Sequence, residues 1–317
     1  MRFLKTYKLF EGGNALHLAR PIKQSEVRPT IQTIKDVIFP ALGLEGFGVD
    51  VVQIGSAGKK IDDDDVSGDI DLGIAVDVYA EKHNVDPNEV LDHIYATLQK
   101  EFPGFESRMM KGLEVVSLGY PIANQPRLGY VQLDFIPVKD MEWAKFIYHA
   151  PDARKGESAY KSAHRNWLFC AILSQVIEDE EFDLDGNKLG YRGYMLRLND
   201  GLSKIEKSWV GKTKLLKNPK KVSDEPVTKN PREFVKFLYG KGVRPNQVKT
   251  FEDAYSKVLE PGFKFADRLR DIEEELKRFL KRVDLPIPKE ISKRRRAETD
   301  ASLPNKSNNG EEDVQDE

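Results

Sequence analysis

In residues 69–76 the large apolar side chains fall on every second position: Ile70, Leu72, Ile74 and Val76 share one face of an extended strand, and Asp69 and Asp71 share the other. Residues 130–137 repeat the pattern, with Val131, Leu133 and Phe135 opposed to Gln132 and Asp134. Two further apolar runs, 49–54 and 114–120, predict strands; the first ends in the glycine-containing turn Gly55-Ser56-Ala57-Gly58, the second in a loop rich in turn residues at 124–129. Elsewhere the spacing becomes helical. Val27, Ile31, Ile34, Val37 and Ile38 predict a helix over 25–41, and Asp86, Pro87 and Glu89 make a helix start ahead of Val90, Leu91, Ile94, Tyr95 and Leu98. The order helix, strand, strand, helix, strand, strand predicts an α+β domain over residues 1–156.

From residue 158 the pattern turns mainly helical, with helices predicted through 173–177 and over 232–238, 251–259 and 265–283. Asp185-Gly186, a favoured tight-turn dipeptide, predicts one small hairpin within this stretch. These residues are therefore expected to form a mainly helical domain over 157–287. From residue 288 apolar residues give way to Lys, Arg, Ser, Asn and Glu, the composition of a disordered tail over 288–317.

A chain of 317 residues suits two compact units and a tail. Its 39% hydrophobic and 32% charged residues describe a globular protein, and no apolar run approaches the roughly 20 residues of a bilayer span. The first ten residues carry basic side chains and no long apolar run, so they do not read as a signal peptide and a cytoplasmic location is expected. One cysteine, Cys170, excludes an intrachain disulfide and a Cys-cluster zinc site; its apolar neighbours predict an inert buried thiol. The net charge of −2 conceals an asymmetry: residues 204–221 hold seven lysines against the single acid Glu206, and the last seven residues are mostly acidic.

Chemistry enters through the acids. Carboxylates at i and i+2 on a strand project from one face, and Asp134 on a later strand can complete a cluster of oxygen ligands suited to Mg2+. The Gly55-Ser56 turn offers backbone N–H groups and a hydroxyl to a triphosphate. Nucleotidyl transfer uses both features, because two ions about 3.5–4 Å apart can activate an attacking oxygen and stabilise leaving pyrophosphate. Asp69 and Asp71 would bridge the metals, and Asp134 would hold the one that activates the acceptor hydroxyl.

Gly55-Ser56, then Asp69-Ile70-Asp71, then Leu133-Asp134-Phe135, taken in order, resemble the signature of the DNA polymerase β-type nucleotidyltransferase superfamily over roughly residues 25–175. The longer phrases Gly55-Ser56-Ala57-Gly58-Lys59-Lys60 and Ser67-Gly68-Asp69-Ile70-Asp71-Leu72, with the opening Glu11-Gly12-Gly13-Asn14, resemble nucleotidyltransferase-like proteins encoded by bacteriophages. The resemblance implies a mixed sheet backed by helices and a more variable helical domain that selects the acceptor. It also implies that Asp69, Asp71 and Asp134 are catalytic and hold two Mg2+ ions, with Mn2+ as a substitute, and that ATP or CTP is the donor. The superfamily often places a serine and a basic residue on the helix after the third aspartate, in contact with phosphate. Ser158, Lys161 and Arg165 match that role, and an ordinary solvated helix face accounts for them too. Lys59, with Lys60, suits either neutralisation of the triphosphate or a plain charged loop.

Other features stay outside the predicted site. The acidic run at 62–65 lies between the motif halves and reads as a solvated loop, and His164 reads as a helix-surface or packing residue. Tyr191, Tyr194 and Trp209 flank the lysine-rich stretch, the combination found in nucleic-acid grooves and equally in a basic loop over an aromatic core. The basic cluster at 293–296 fits a nucleic-acid anchor or an inert charged tail. The leading expectation is addition of nucleotides to an RNA end, tRNA foremost, guided by residues 204–221. Transfer to a protein or small molecule, as in toxin and antibiotic-modifying members, and a non-catalytic binding module are the alternatives.

Overall fold

The two alternating segments that carry the acids become adjacent parallel strands in the computed structural model, which describes residues 15–158, 160–210 and 215–291. The motif at 11–14, Lys212 and Lys214 of the basic stretch, and the tail from 292 with its basic cluster lie outside the described residues. The chain enters through β1 (Ile22–Lys23), which pairs with β3 (Val66–Ser67) in a two-stranded ribbon. The main sheet contains β2 (Val51–Ile54), β4 (Asp69–Ala75), β5 (Ser107–Met110), β6 (Val115–Pro121) and β7 (Tyr130–Val138) in the order β2-β4-β7-β6-β5. Only β4 and β7 run parallel; every other neighbouring pair is antiparallel.

The period of two sets what each face does. Ile70, Leu72, Ile74, Val131, Leu133 and Phe135 point into one core, closed by α1 (Gln24–Thr33, extended by a π turn through Ile38), α2 (Val76–His83) and α3 (Val90–Glu101). The opposite face changes character along its length. Its far end, with Ile136 and Val138, is covered by Ala144 of α4 (Met141–Ile147), whereas the near end carries Asp69, Asp71, Gln132 and Asp134. Burying a large aliphatic side chain stabilises by about 1.5–3 kcal/mol, so the apolar end anchors α4 and leaves Asp69 and Asp71 of the acidic end lining a cleft.

α4 faces two ways, since Trp143, Phe146 and Ile147 belong to a second core built around α5 (Ser162–Leu173). Ten of the twelve residues of α5 are buried, the polar His164, Arg165 and Asn166 among them, so the helix is enclosed nearly all round. α6 (Pro231–Tyr239), α7 (Phe251–Val258) and α8 (Leu269–Arg282) pack around it. No helix among the described residues is long and apolar enough to cross a membrane.

The mainly helical expectation for 157–287 is corrected by a four-stranded antiparallel sheet, ordered β11-β10-β9-β8, of β8 (Ile177–Phe182), β9 (Lys188–Arg197), β10 (Gly201–Val210) and β11 (Leu215–Thr228). Asp185-Gly186 does form the β8–β9 turn, but the remaining strands lack apolar alternation. Cross-strand ion pairs such as Lys204 to Glu178, Lys188 to Glu180 and Arg197 to Asp224 tie them instead, and β10–β11 changes register three times. Ile177, expected in the helix of α5, opens β8. α2, β5 and α4 escaped prediction. At the other boundary, Pro288 is buried and Ile291 fully buried, so packed structure continues past residue 287.

Candidate active site

Parallel pairing of β4 with β7 sets Asp71 directly beside Asp134 and Asp69 beside Gln132. Because all four project from one face, Asp69, Asp71 and Asp134 each present a carboxylate oxygen within 4.8 Å of the others. Asp134 is held firmly: Ser117 Oγ, on the facing position of β6, donates to its Oδ1 at 2.6 Å, and Gln132 Nε2 donates to both oxygens at 2.9 and 3.0 Å. Gln132 is itself fixed, accepting from Ala15 N at 3.0 Å. Asp71 is different. Its Oδ1 is closed off from solvent and meets no hydrogen-bond donor among the described residues.

Electrostatics follow from this crowding. Burial first, then the charges of Asp69 and Asp134, push the Asp71 carboxyl well above the usual carboxylate range, with Lys59 acting against the rise. Burial lifts Asp134 to about 6 despite the opposing hydrogen bonds from Ser117 and Gln132. Like charges held this close, with one buried oxygen unsatisfied, are costly for the protein alone. An all-oxygen donor set of this kind could hold a metal ion, which would remove the repulsion and satisfy Asp71 Oδ1.

The turn after β2 closes over this cluster. Gly55 has φ +71°, a conformation that favours glycine, and a Cβ there would overlap Asp71 Oδ2. Ser56 is exposed at the tip. Lys59 bends back, donating from Nζ to Gly55 O at 3.1 Å and to Ala150 O at 3.0 Å, and burial lowers its pKa. The Gly55 turn is thereby tied to the loop that leads into α5.

Asp69, Asp71, Gly55, Ser56 and Lys59 line a cleft of about 400 Å3, whose far wall is formed by Ser158, Tyr160, Lys161 and the first turn of α5. That volume lies within the ordinary range of small-molecule sites. The structure therefore gathers the expected residues, with one correction. Arg165 is fully buried in the second core, stacked on Phe146 and Phe169; its guanidinium donates to the carbonyls of Phe146, Ile147 and Lys249. An i, i+4 relation to Lys161 does not put both on one face here, because Lys161 precedes the helix as its N-cap. Ser158 reaches the cleft, but from the loop before α5, where its Oγ donates to Glu252 Oε2 at 2.6 Å.

Ser117, Gln132 and Tyr160 were missed. Gln132 shared a face with Asp134 in the alternating pattern, so its contact was legible; Ser117 became so only with the β6–β7 register. The acidic run at 62–65 stays exposed and outside the cluster, where Gln24 and Ser25 N–H groups bond to the carbonyls of Asp65 and Asp63. His164 is a packing residue, buried against Tyr160 and Phe251 with Nε2 3.1 Å from Pro286 O. No family model matches the chain, and no curated protein or solved structure matches it either.

Proposed function

We propose that this protein is a Mg2+-dependent nucleotidyltransferase that uses a nucleoside triphosphate, ATP or CTP, as donor. One observation carries the reading: of three clustered carboxylates, one with an unsatisfied buried oxygen, Asp69 and Asp71 line a cleft of ligand size together with a positive-φ Gly-Ser turn. When bound by Asp69, Asp71 and Asp134, two divalent ions supply charge neutralisation for an attacking oxygen and a leaving pyrophosphate.

The chain's own groups do the rest. Gly55 lets the turn approach Asp71, so that Ser56 and neighbouring N–H groups face a triphosphate tail beside the carboxylates. Lys161 and the first turn of α5 add positive potential from the opposite wall. Lys59 holds the two walls together and contributes its charge to the same space. In the reaction an acceptor hydroxyl oxygen bonds to the α-phosphorus, the bond from that phosphorus to the β-bridging oxygen breaks, pyrophosphate departs and the hydroxyl proton passes to solvent.

An RNA 3′ end is the first acceptor to test. A protein or small-molecule acceptor is the second, favoured by one observation: Lys204 and Lys221 of the basic stretch are paired with Glu178 and Asp224, which reduces the positive field available to a polyanion. Purified protein incubated with Mg2+ and each labelled triphosphate, together with tRNA, total RNA or protein extract, tests the proposal. Label in the RNA fraction supports the first acceptor, and label in protein or a small product the second. No label in any fraction, with no magnesium-dependent triphosphate binding, would overturn the enzyme.

A further inference from the structure

A second cavity, of about 410 Å3, lies between α5, the inner face of β8–β10 and α8, and shares no residue with the cleft. Its walls include Trp167, Tyr191 and Phe279, with the Trp167 and Phe279 rings 5.0 Å apart. Gly193 leaves space beside Tyr191, since a Cβ there would already press on that ring at 3.3 Å. The lining is also cationic. Lys188 and Arg278 are paired with Glu180 and Glu275, but Lys207 and Arg282 meet no carboxylate among the described residues. Lys207 Nζ lies 5.6 Å from the Tyr191 ring centroid, joining a charge to an aromatic surface.

An apolar ligand would leave these cations unused, and a simple anion would leave the aromatic walls unused. A planar ring bearing an anionic group uses both. We propose that this cavity binds a nucleotide unit, with the base among Tyr191, Trp167 and Phe279 and the phosphate against Lys207 and Arg282. The unit is either a free mononucleotide or a residue of a single-stranded RNA, whose bases stack on aromatic side chains in the same way. The assignment stands on this cavity's own residues and does not require the cleft to be catalytic.

Equilibrium dialysis of the full chain in EDTA, with adenosine 5′-monophosphate and with an eight-residue oligoadenylate as probes, tests it. Saturable binding of either probe, weakened about tenfold or more by Tyr191→Leu and by Arg282→Glu but unchanged by Asp71→Asn, is expected. Arg282 is exposed at the end of α8, so its variant reports even where Tyr191→Leu disturbs packing. Tighter, salt-sensitive binding of the oligomer identifies an RNA residue, and equal or tighter binding of the monophosphate identifies a free nucleotide. Absence of saturable binding for both probes, or binding indifferent to Arg282→Glu, overturns the proposal.

Discussion

Gly55 and Asp71 occupy each other's space: a side chain on the glycine would collide with the carboxylate two strands of backbone bring beneath it. The turn and the acid-bearing strand are thus one device. Ile54, the last residue of β2, is the register partner of Asp71, so the turn begins where the acid points.

Gly55→Ala is accordingly expected to displace Asp71 and to strain a backbone at φ +71°. A displacement of about 1 Å costs on the order of 100-fold in transfer rate. Comparison of labelled-nucleotide incorporation by the variant and wild type checks this; an unimpaired variant would separate the turn from the site.

The raised carboxyls make stability depend on pH with a definite sign. Asp134 binds its proton up to about 6 when folded against an ordinary 3.8, so the native state holds more protons than the unfolded chain between those values. The contribution of Asp134 to the stability of the metal-free protein therefore falls as pH rises through that window, by on the order of 3 kcal/mol. Burial lowers His149 to about 4, which acts in the opposite direction over the same pH range, so the effect is read as a difference: in EDTA the change in thermal midpoint from pH 5 to pH 7 should be more negative for wild type than for Asp134→Asn. Mg2+, which binds the deprotonated ligands, should raise the midpoint at pH 7 more than at pH 5. EDTA profiles of the same shape for wild type and Asp134→Asn would refute this account of the cluster.

Gln132→Leu removes two hydrogen bonds from Asp134 and leaves Ser117 alone to hold its side chain. Loss of such an outer partner typically lowers metal affinity about 10–100-fold. A Mn2+ titration followed by electron paramagnetic resonance should show that loss, while a variant with wild-type affinity would assign Gln132 to packing alone.

Arg165→Ala should act on the fold. It removes the guanidinium's hydrogen bonds to the carbonyls of Phe146, Ile147 and Lys249 and opens a cavity among Phe146 and Phe169, at a cost of about 3 kcal/mol or more. Denaturant unfolding measures the loss. Transfer per folded molecule should be retained, whereas a selective loss of triphosphate binding would return Arg165 to the phosphate site.

The acid cluster was legible because strand alternation is a local property: Ile70 and Leu72 fix the direction of Asp69 and Asp71 wherever the strand goes. The pairing of Asp71 with Asp134 and the contact from Ser117 depend on strand order, which alternation does not encode. The second sheet was hidden for another reason. β8 is exposed along its whole length, and its acids Glu178 and Glu180 are matched to lysines on β10 and β9, so charge pairing replaces the apolar period that reveals a strand. Arg165 misled because a helical spacing gives relative angles without saying which side faces solvent; α5 is buried nearly all round.

The most direct test uses one triphosphate labelled separately at the α- and γ-phosphate, supplied with Mg2+ and an acceptor extract to wild type and to Asp71→Asn. Nucleotidyl transfer predicts that α-label enters the acceptor, that γ-label leaves in pyrophosphate and that neither happens with Asp71→Asn. Transfer of γ-label to the acceptor, or equal activity in the variant, would contradict the central claim.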